Sequence, residues 1–264
     1  MTYQDLRYEV RDQVAVITLD RPERLNAISG PMLRSLSAAL VGANSDPGVR
    51  VVVLTGAGRG FCAGLDLKDQ SSGEGSVAEE VAAGGLFDLR DAPPIVLHNM
   101  DKPTLAAVNG PAAGYGLDLA LGCDMRILGS EAKLGAVFTR RGVLPESGGT
   151  WLLPRLVGWA RAAEIAFRGR VLSAQEALDL GLVNRVVAQE RLMDETLALA
   201  TEIAANAPLA VQATKRMMRM GMDETFEANV HHVYLALLPL FRSQDFQEGM
   251  RAFLERREPQ FIGR

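Results

Sequence analysis

Residues 51–55 read Val-Val-Val-Leu-Thr, and glycines at positions 56, 58, 60 and 64 follow this run directly. An unbroken series of β-branched and apolar residues predicts a strand that is buried on both faces. Glycine adopts positive φ and has no Cβ, so the turn after the strand can bring bare N–H groups close to a ligand or another loop. The chain must therefore fold so that a buried strand leads into a turn of close backbone approach.

The pattern occurs a second time at residues 104–116, where an apolar run leads into three more glycines and then a short helix. Upstream of the first unit, residues 8–19 predict a β-hairpin, and Gly30-Pro31 opens an amphipathic helix. Two strand–turn–helix units predict an α/β fold with a repeated core.

The last part of the chain has the periodicity of helices. Ser173 and Glu176 have the spacing of a capping box. Longer helices are predicted at residues 190–205, 208–220, 224–238 and 243–256. Several of them carry apolar stripes, which indicate packing on a partner subunit or on the chain's own core.

Composition excludes several classes of function. The 264 residues are 48% hydrophobic, enough for one large domain or one domain with an appendage. A net charge of −4 gives no general attraction to nucleic acids or anionic membranes. No apolar run reaches the roughly 18 residues that span a bilayer, and the two cysteines lack a CxxC spacing. We expect a cytoplasmic protein that binds neither nucleic acid nor membrane.

The first glycine turn also fits a different class of ligand. Residues 58–63 match the dinucleotide fingerprint GxGxxA, and Glu79 and Glu80 follow at about the distance of a ribose-binding acid. The fingerprint should open a long helix, but residues 66–76 lack apolar periodicity. This mismatch argues against an NAD-dependent oxidoreductase, which stays as an alternative.

Nucleophilic and metal chemistry have little support in the sequence. Cys62 lies in the first turn, but none of the three histidines is near it in sequence, so burial as a small apolar residue is the expected role. His231 and His232 are adjacent and would point to different faces of a helix. We therefore expect no metal site.

The second turn suggests what the two turns do together. Gly114 and Gly116 place exposed N–H groups at the start of a helix, where the helix dipole favours negative charge. Two such turns can converge, and paired backbone donors then form an oxyanion hole for a thioester enolate. Two unrelated tight turns in an α/β core are the alternative.

The residues at these positions resemble those of the crotonase superfamily, also called the enoyl-CoA hydratase/isomerase family. The resemblance covers nearly the whole chain. The motifs that carry it are the N-terminal signature at residues 19–27, the two glycine turns at 61–67 and 106–116, residues 169–181, and the C-terminal residues 253–261.

This resemblance implies an α/β fold, a spiral of ββα repeats over residues 1–195, followed by a helical region at residues 196–264. The helical region would serve assembly into a homotrimer or a dimer of trimers. The implied ligand is a coenzyme A thioester that acts as substrate, with no other cofactor.

The resemblance also implies roles for individual residues. The oxyanion donors would be the backbone N–H groups of Leu65 and Tyr115. The residues along the CoA path would be Arg24, Leu25, Ala27, Ala63, Gly64, Asp66 and Gly114, with Arg59 at the CoA phosphates. A guanidinium suits phosphate geometry, whereas an exposed arginine without a ligand is the alternative for Arg59.

The choice of reaction depends on carboxylates. Hydratases of the family hold the attacking water between two glutamates, but here those positions are Asp118 and Phe138. Glu146 follows Pro145 in a segment that resembles family members which move double bonds. One base suffices to carry a proton from the α-carbon to the γ-carbon. This pattern favours an isomerase with Glu146 as main acid/base and Asp118 as auxiliary.

Other functions stay open at this point. The alternatives are a 2-enoyl-CoA hydratase that uses Asp118 and Glu146 together, an isomerase of ring epoxides, and a non-catalytic acyl-CoA-binding relative, suggested by Phe138. Local roles are also possible for both acids: Asp118 in a cap or salt bridge, and Glu146 paired with Arg141. Residues 70–76 are rich in Gly and Ser and would form a mobile lid or a solvated loop.

Overall fold

The computed structural model describes residues 3–66 and 92–264. Its strands are β1 (Leu6–Arg11), β2 (Val14–Leu19), β3 (Val51–Gly56), β4 (Thr104–Val108), β5 (Ala112–Ala113), β6 (Met125–Gly129), β7 (Lys133–Gly135), β8 (Val171–Ser173) and β9 (Arg185–Val187). Its helices are α1 (Gly30–Ser45), α2 (Pro93–Asn99), α3 (Tyr115–Gly122), α4 (Gly149–Val157), α5 (Trp159–Phe167), α6 (Ala174–Asp179), α7 (Leu192–Ala204), α8 (Pro208–Met220), α9 (Phe226–Phe241) and α10 (Gln244–Glu255).

Six of these strands form the large sheet, in the order β1-β2-β3-β4-β6-β9. The first pair is the predicted antiparallel hairpin, and every later pair of neighbours is parallel. In the register of the central pair, Leu54 lies opposite Ala106. Because parallel strands end at the same edge of a sheet, the glycine turns that follow β3 and β4 begin side by side.

The large sheet is covered on both faces, as the run at residues 51–55 predicts. All six residues of β3 are buried. Val51 and Val53 face a cluster that includes α7, while Val52 and Leu54 face a larger cluster that includes α1 and α3. This burial fixes the position of β3, and with it the start of the first turn.

A smaller sheet, in the order β5-β7-β8, lies beside the second turn. Strand β5 is only two residues long and pairs in parallel with β7, which anchors one side of the second turn. The capping box before α6 is present, with Ser173 and Glu176 each bonded to the other's backbone N–H.

The C-terminal helices agree with the predicted segments within about three residues. The suggested division at residue 195 falls inside α7, which packs on the large sheet. Helix α8 joins the core through Lys215 and Arg219, whose side chains bind Asp124 at 2.6 and 3.0 Å.

Helices α9 and α10 expose many large apolar side chains, including Phe226, Tyr234, Phe253 and Leu254. None of the helices in the described part of the chain has the length and apolar composition needed to cross a bilayer. The candidate lid at residues 70–76 lies outside the described residues.

Candidate active site

The two glycine turns pack directly against each other. Cys62 forms a parallel bridge with Ala112, and the N–H of Ala113 donates to the Cys62 carbonyl at 2.9 Å. The N–H groups of Phe61 and Cys62 both donate to the Pro111 carbonyl at 3.1 Å. The turns are therefore joined by backbone atoms, and their separation is set by hydrogen-bond length.

Glycine is required at the closest points of this contact. A Cβ at Gly110 would lie 2.1 Å from the Arg59 carbonyl oxygen, and one at Gly116 would lie 2.2 Å from the Cys62 carbonyl oxygen. Gly64 and Gly114 have φ of 101° and 55°, a region that other residues seldom adopt. The spacing of glycines in the sequence thus reflects both backbone contact and positive φ.

Two asparagines hold the first turn in shape. The Asn26 amide donates to the carbonyls of Ala57 and Gly60 at 2.9 and 2.7 Å. The Asn109 side-chain amide donates to the Gly58 carbonyl at 2.9 Å, and the Asn109 Oδ1 atom accepts from the Gly56 N–H at 3.1 Å. Both asparagines lie within the recognised motifs, but their sequence positions do not indicate which carbonyls they bind.

The backbone donors predicted for the oxyanion hole lie next to this contact. Tyr115 is the first residue of α3, and a Cβ at Gly64 would be 3.7 Å from the Tyr115 nitrogen. On either side of Leu65, the Gly64 carbonyl accepts a hydrogen bond from the Ile28 N–H, and the Asp66 N–H donates to the Ile28 carbonyl. Among the described residues, the N–H groups of Leu65 and Tyr115 donate to no other backbone group. Both donors are thus available to a ligand.

A cavity of about 820 Å³ is lined by the residues that carry these donors. Its wall is mostly apolar, and the charged side chains of Arg141 and Glu146 also line it. The residues around it are Gly64, Leu65, Gly114, Tyr115, Val137, Phe138, Arg141, Val143, Leu144 and Glu146. The structure therefore brings three predicted catalytic residues, Leu65, Tyr115 and Glu146, to one cavity.

The Glu146 carboxyl has no salt bridge in the described part of the chain, so no ion pair joins it to Arg141. Its side chain is exposed to the open cavity, yet enough protein surrounds the carboxyl for desolvation to raise its pKa. A carboxyl with a raised pKa is a stronger base when ionised, and this suits it to remove a proton from carbon.

Asp118 lies behind the cavity wall and does not line the cavity. Its Oδ2 atom accepts a hydrogen bond from the Ser147 N–H at 3.0 Å, while Oδ1 is buried with no partner of normal geometry. Burial raises the pKa of Asp118 to about 7, the N–H groups of Ser147 and Gly149 oppose the rise, and Glu146 adds to it.

Gly149 is also part of this arrangement. A Cβ there would lie 2.2 Å from the Asp118 Oδ1 atom, so a larger residue would displace the carboxyl. The contact between α3 and the Ser147–Gly149 backbone fixes the segment that carries Glu146. Asp118 therefore has a structural role here, whatever its part in catalysis.

Most of the residues predicted along the CoA path lie in two adjacent segments, 24–27 and 63–66. The N–H of Ala63 donates to the Leu25 carbonyl at 3.0 Å, next to Ala27. Arg24 and Arg59 are exposed, and neither forms an ion pair within residues 3–66 and 92–264. Two cations therefore lie free on neighbouring turns.

Asp66 differs from the other predicted CoA residues. It is 6% exposed and pairs with Arg21 at 3.2 Å. Arg21 also donates to the Ala27 carbonyl at 2.9 Å, so the ion pair ties the two segments together. Its position supports the shape of the path, and its direct contact with a ligand stays a prediction.

Cys62 is fully buried, and burial raises its pKa to about 12, which agrees with the expected apolar role. Phe138 is also buried and lies about 4.0 Å from the Cβ position of Gly114, where it forms part of the cavity wall. In the part of the chain that the structure describes, no group of three or more His, Cys, Asp or Glu side chains is placed to hold a metal ion.

Comparison with known proteins gives consistent results. A protein-family sequence model described as enoyl-CoA hydratase/isomerase matches residues 9–264. The chain is 39% identical over 257 residues to the (E)-benzylidenesuccinyl-CoA hydratase of Thauera aromatica, covering 97% of this chain and 98% of the relative. It is 39% identical over 259 residues to the 1,2-epoxyphenylacetyl-CoA isomerase of Escherichia coli K12, covering 97% of each.

Among solved structures, the enoyl-CoA hydratase of Bacillus anthracis superposes with a TM-score of 0.92 at 35% identity. The match covers 99% of this chain and 100% of the other. It confirms the α/β fold with a helical C-terminal region that the sequence motifs imply.

Replacement of Gly116 by Ala should separate the two turns, because the new methyl group would overlap the Cys62 carbonyl. We expect a loss of about 2–4 kcal/mol in unfolding free energy and at least a tenfold loss of acyl-CoA affinity. Urea unfolding and calorimetry measure both. Gly42→Ala is the control, since it lies in α1 with 3.7 Å to the nearest atom and should not weaken either property. If both variants had the same unfolding free energy and acyl-CoA affinity, the close contact between the turns would not be needed for either property.

The buried Asp118 should give the unfolding free energy a specific pH dependence. Its pKa rises from 3.8 to about 7 on folding, so the unfolded chain releases the proton first as pH increases. Its contribution to stability therefore falls between about pH 4 and pH 7, by at most about 4 kcal/mol, and is constant above. We expect Asp118→Asn to have a higher unfolding free energy than wild type, and the difference should be larger at pH 8 than at pH 4.5. Urea unfolding at the two pH values measures this difference. A pH-independent difference would contradict the shifted pKa.

Proposed function

Because the chain belongs to the enoyl-CoA hydratase/isomerase family, we propose that it moves the double bond of an enoyl-CoA thioester with Glu146 as the acid/base. The observation that carries this proposal is the position of Glu146 in the cavity beside the N–H groups of Leu65 and Tyr115. Isomerisation of a 3-enoyl to a 2-enoyl thioester is the favoured reaction.

In this proposal the thioester carbonyl oxygen accepts hydrogen bonds from the N–H groups of Leu65 and Tyr115. The Tyr115 N–H is at the N-terminus of α3, where the helix dipole adds to the stabilisation of negative charge. Both donors are fixed by backbone contacts between the turns, so little reorganisation is needed as the enolate forms.

Coenzyme A would lie along the segments at residues 24–27 and 63–66. The free guanidinium groups of Arg24 and Arg59 are suitable partners for its phosphates. Leu25, Ala27, Ala63, Gly64 and Gly114 would contact the pantetheine and thioester portions through backbone and small side chains. Asp66 would support this path through Arg21.

Glu146 would then transfer one proton within the substrate. Its carboxylate removes a proton from the α-carbon, and the electrons move into the enolate, whose oxygen is held by the two N–H groups. The same carboxyl returns the proton at the γ-carbon, and the double bond moves into conjugation with the thioester. The reaction needs no water and no net change of protonation, so one side chain is sufficient.

Asp118 would act as an auxiliary group. With a pKa of about 7 it is partly protonated near neutral pH, and a neutral Asp118 favours ionisation of the adjacent Glu146. Hydration of a 2-enoyl-CoA is the second candidate, because two carboxyls are close together and named relatives include hydratases. It requires a water molecule that both acids can reach, and Asp118 does not line the cavity.

We also propose that the chain assembles as a homotrimer or a dimer of trimers through its C-terminal helices. Phe253 and Leu254 are 80% and 76% exposed, and α9 adds a further apolar surface. Such a large apolar area is typical of an interface between subunits. Analytical ultracentrifugation should show three or six copies per particle, and a monomer at micromolar concentration would contradict this assembly.

Glu146→Gln should lower turnover by at least about 10³-fold, because the amide cannot accept the α-proton, while acyl-CoA affinity is retained. As pH is lowered, wild-type kcat/KM should decrease when Glu146 becomes protonated. Because the Glu146 pKa is raised, this decrease should begin at a higher pH than an ordinary glutamate would give. The exposed Glu131→Gln is the matched control and should keep full activity. Full activity in Glu146→Gln would remove Glu146 from this role.

A panel of 2-enoyl-CoA and 3-enoyl-CoA esters, followed by absorbance and product mass, separates the two reactions. Conversion of 3-enoyl esters without a mass change supports isomerisation, and a gain of water by 2-enoyl esters supports hydration instead. Binding without conversion would indicate a non-catalytic relative. Thermal stabilisation by NAD rather than acyl-CoA would favour the dinucleotide alternative.

A further inference from the structure

Arg141 is a cation in the cavity wall that the proposed reaction does not use. It is exposed and lines the cavity together with Val137, Phe138, Val143 and Leu144. In residues 3–66 and 92–264 its guanidinium has no ion pair or hydrogen bond. The guanidinium therefore has no partner among the described residues, and it lies where an anionic group of a ligand in the cavity can reach it.

The turn that carries Arg141 is held firmly. Residues 139–141 form a 3₁₀ turn in which the Phe138 carbonyl accepts from the N–H groups of Arg141 and Val143 at 2.9 and 3.2 Å. Thr139 donates to the Ala166 carbonyl at 3.0 Å. The backbone position of Arg141 is therefore fixed relative to the cavity.

The neighbouring arginine has a different environment. Arg140 donates to the Arg168 carbonyl at 3.3 Å, and its side chain lies against Gly169, on the outside of the cavity. Of the three side chains in the turn, only Arg141 lines the cavity. The two adjacent arginines thus provide a test residue and a matched control.

We propose that Arg141 selects acyl groups that carry a second carboxylate, at the end of the acyl chain remote from the thioester. This inference rests on the proposed function, because it assumes that the reacting carbons lie beside Glu146. A carboxylate near those carbons would be repelled by Glu146, whereas the guanidinium of Arg141 is free to bind one. The planar guanidinium matches both carboxylate oxygens and can donate to each of them.

The test compares pairs of CoA esters of equal chain length, with and without a carboxylate on the terminal carbon. Calorimetry with the saturated esters, from hexanoyl-CoA and adipoyl-CoA upward, gives binding constants that do not depend on turnover. The corresponding enoyl esters give kcat/KM. Wild type should prefer the dicarboxylic member of at least one pair roughly tenfold, as expected for a hydrogen-bonded charge pair.

Arg141→Met should reduce this ratio to about one, Arg141→Lys should keep part of it, and Arg140→Met should leave it unchanged. A wild-type ratio near one, or a ratio that survives in Arg141→Met, would overturn the proposal. A similar loss of affinity for both members of each pair would overturn it as well, because Arg141 would then bind the CoA portion. Failure of turnover with an intact binding ratio would contradict the proposed reaction alone.

Discussion

The site depends on the contact between two glycine turns at backbone distance. Parallel strands β3 and β4 start these turns at one edge of the sheet, and the bridge between Cys62 and Ala112 joins them. At Gly110 and Gly116 even a methyl group would overlap a carbonyl oxygen of the opposite turn. This contact places two N–H groups beside one cavity. The apolar strands, the two asparagines and the positive-φ glycines all contribute to that one result.

Charge is distributed in two layers around this contact. Glu146 lines the cavity, and Asp118 is buried behind it, where its carboxyl binds the Ser147 N–H. Desolvation raises the pKa of both acids, but only Glu146 has direct access to a ligand. The segment that carries Glu146 is thus held by a carboxyl whose own pKa Glu146 helps to raise. Packing and the protonation of Asp118 are coupled through a single hydrogen-bonded turn.

Much of this arrangement follows from sequence pattern. Period and composition predict strands β1 to β4 and helices α1, α3 and α7 to α10, and the glycine spacing identifies both turns, because these signals are local. Short elements such as β5, β7 and α2 are not predicted, because two to seven residues carry too little periodicity. The partners of Asn26 and Asn109 are not local: Asn26 binds carbonyls more than 30 residues away. Asp66 belongs to the CoA path by motif, but its ion pair with Arg21 appears only in the fold. The direction of Arg141 also depends on the anchoring of its turn, which sequence spacing does not specify.

The oxyanion donors that we propose at Leu65 and Tyr115 are main-chain groups, which every residue except proline carries. Their position is determined by glycines and by the strands behind them, whereas the cavity wall at residues 137–144 consists of side chains. In the proposed function, activation of the thioester and recognition of the acyl group are therefore encoded by different parts of the chain. Changes in the wall can alter the acyl preference while the geometry of the carbonyl site is inherited intact. A scaffold organised in this way separates the evolution of specificity from the evolution of chemistry.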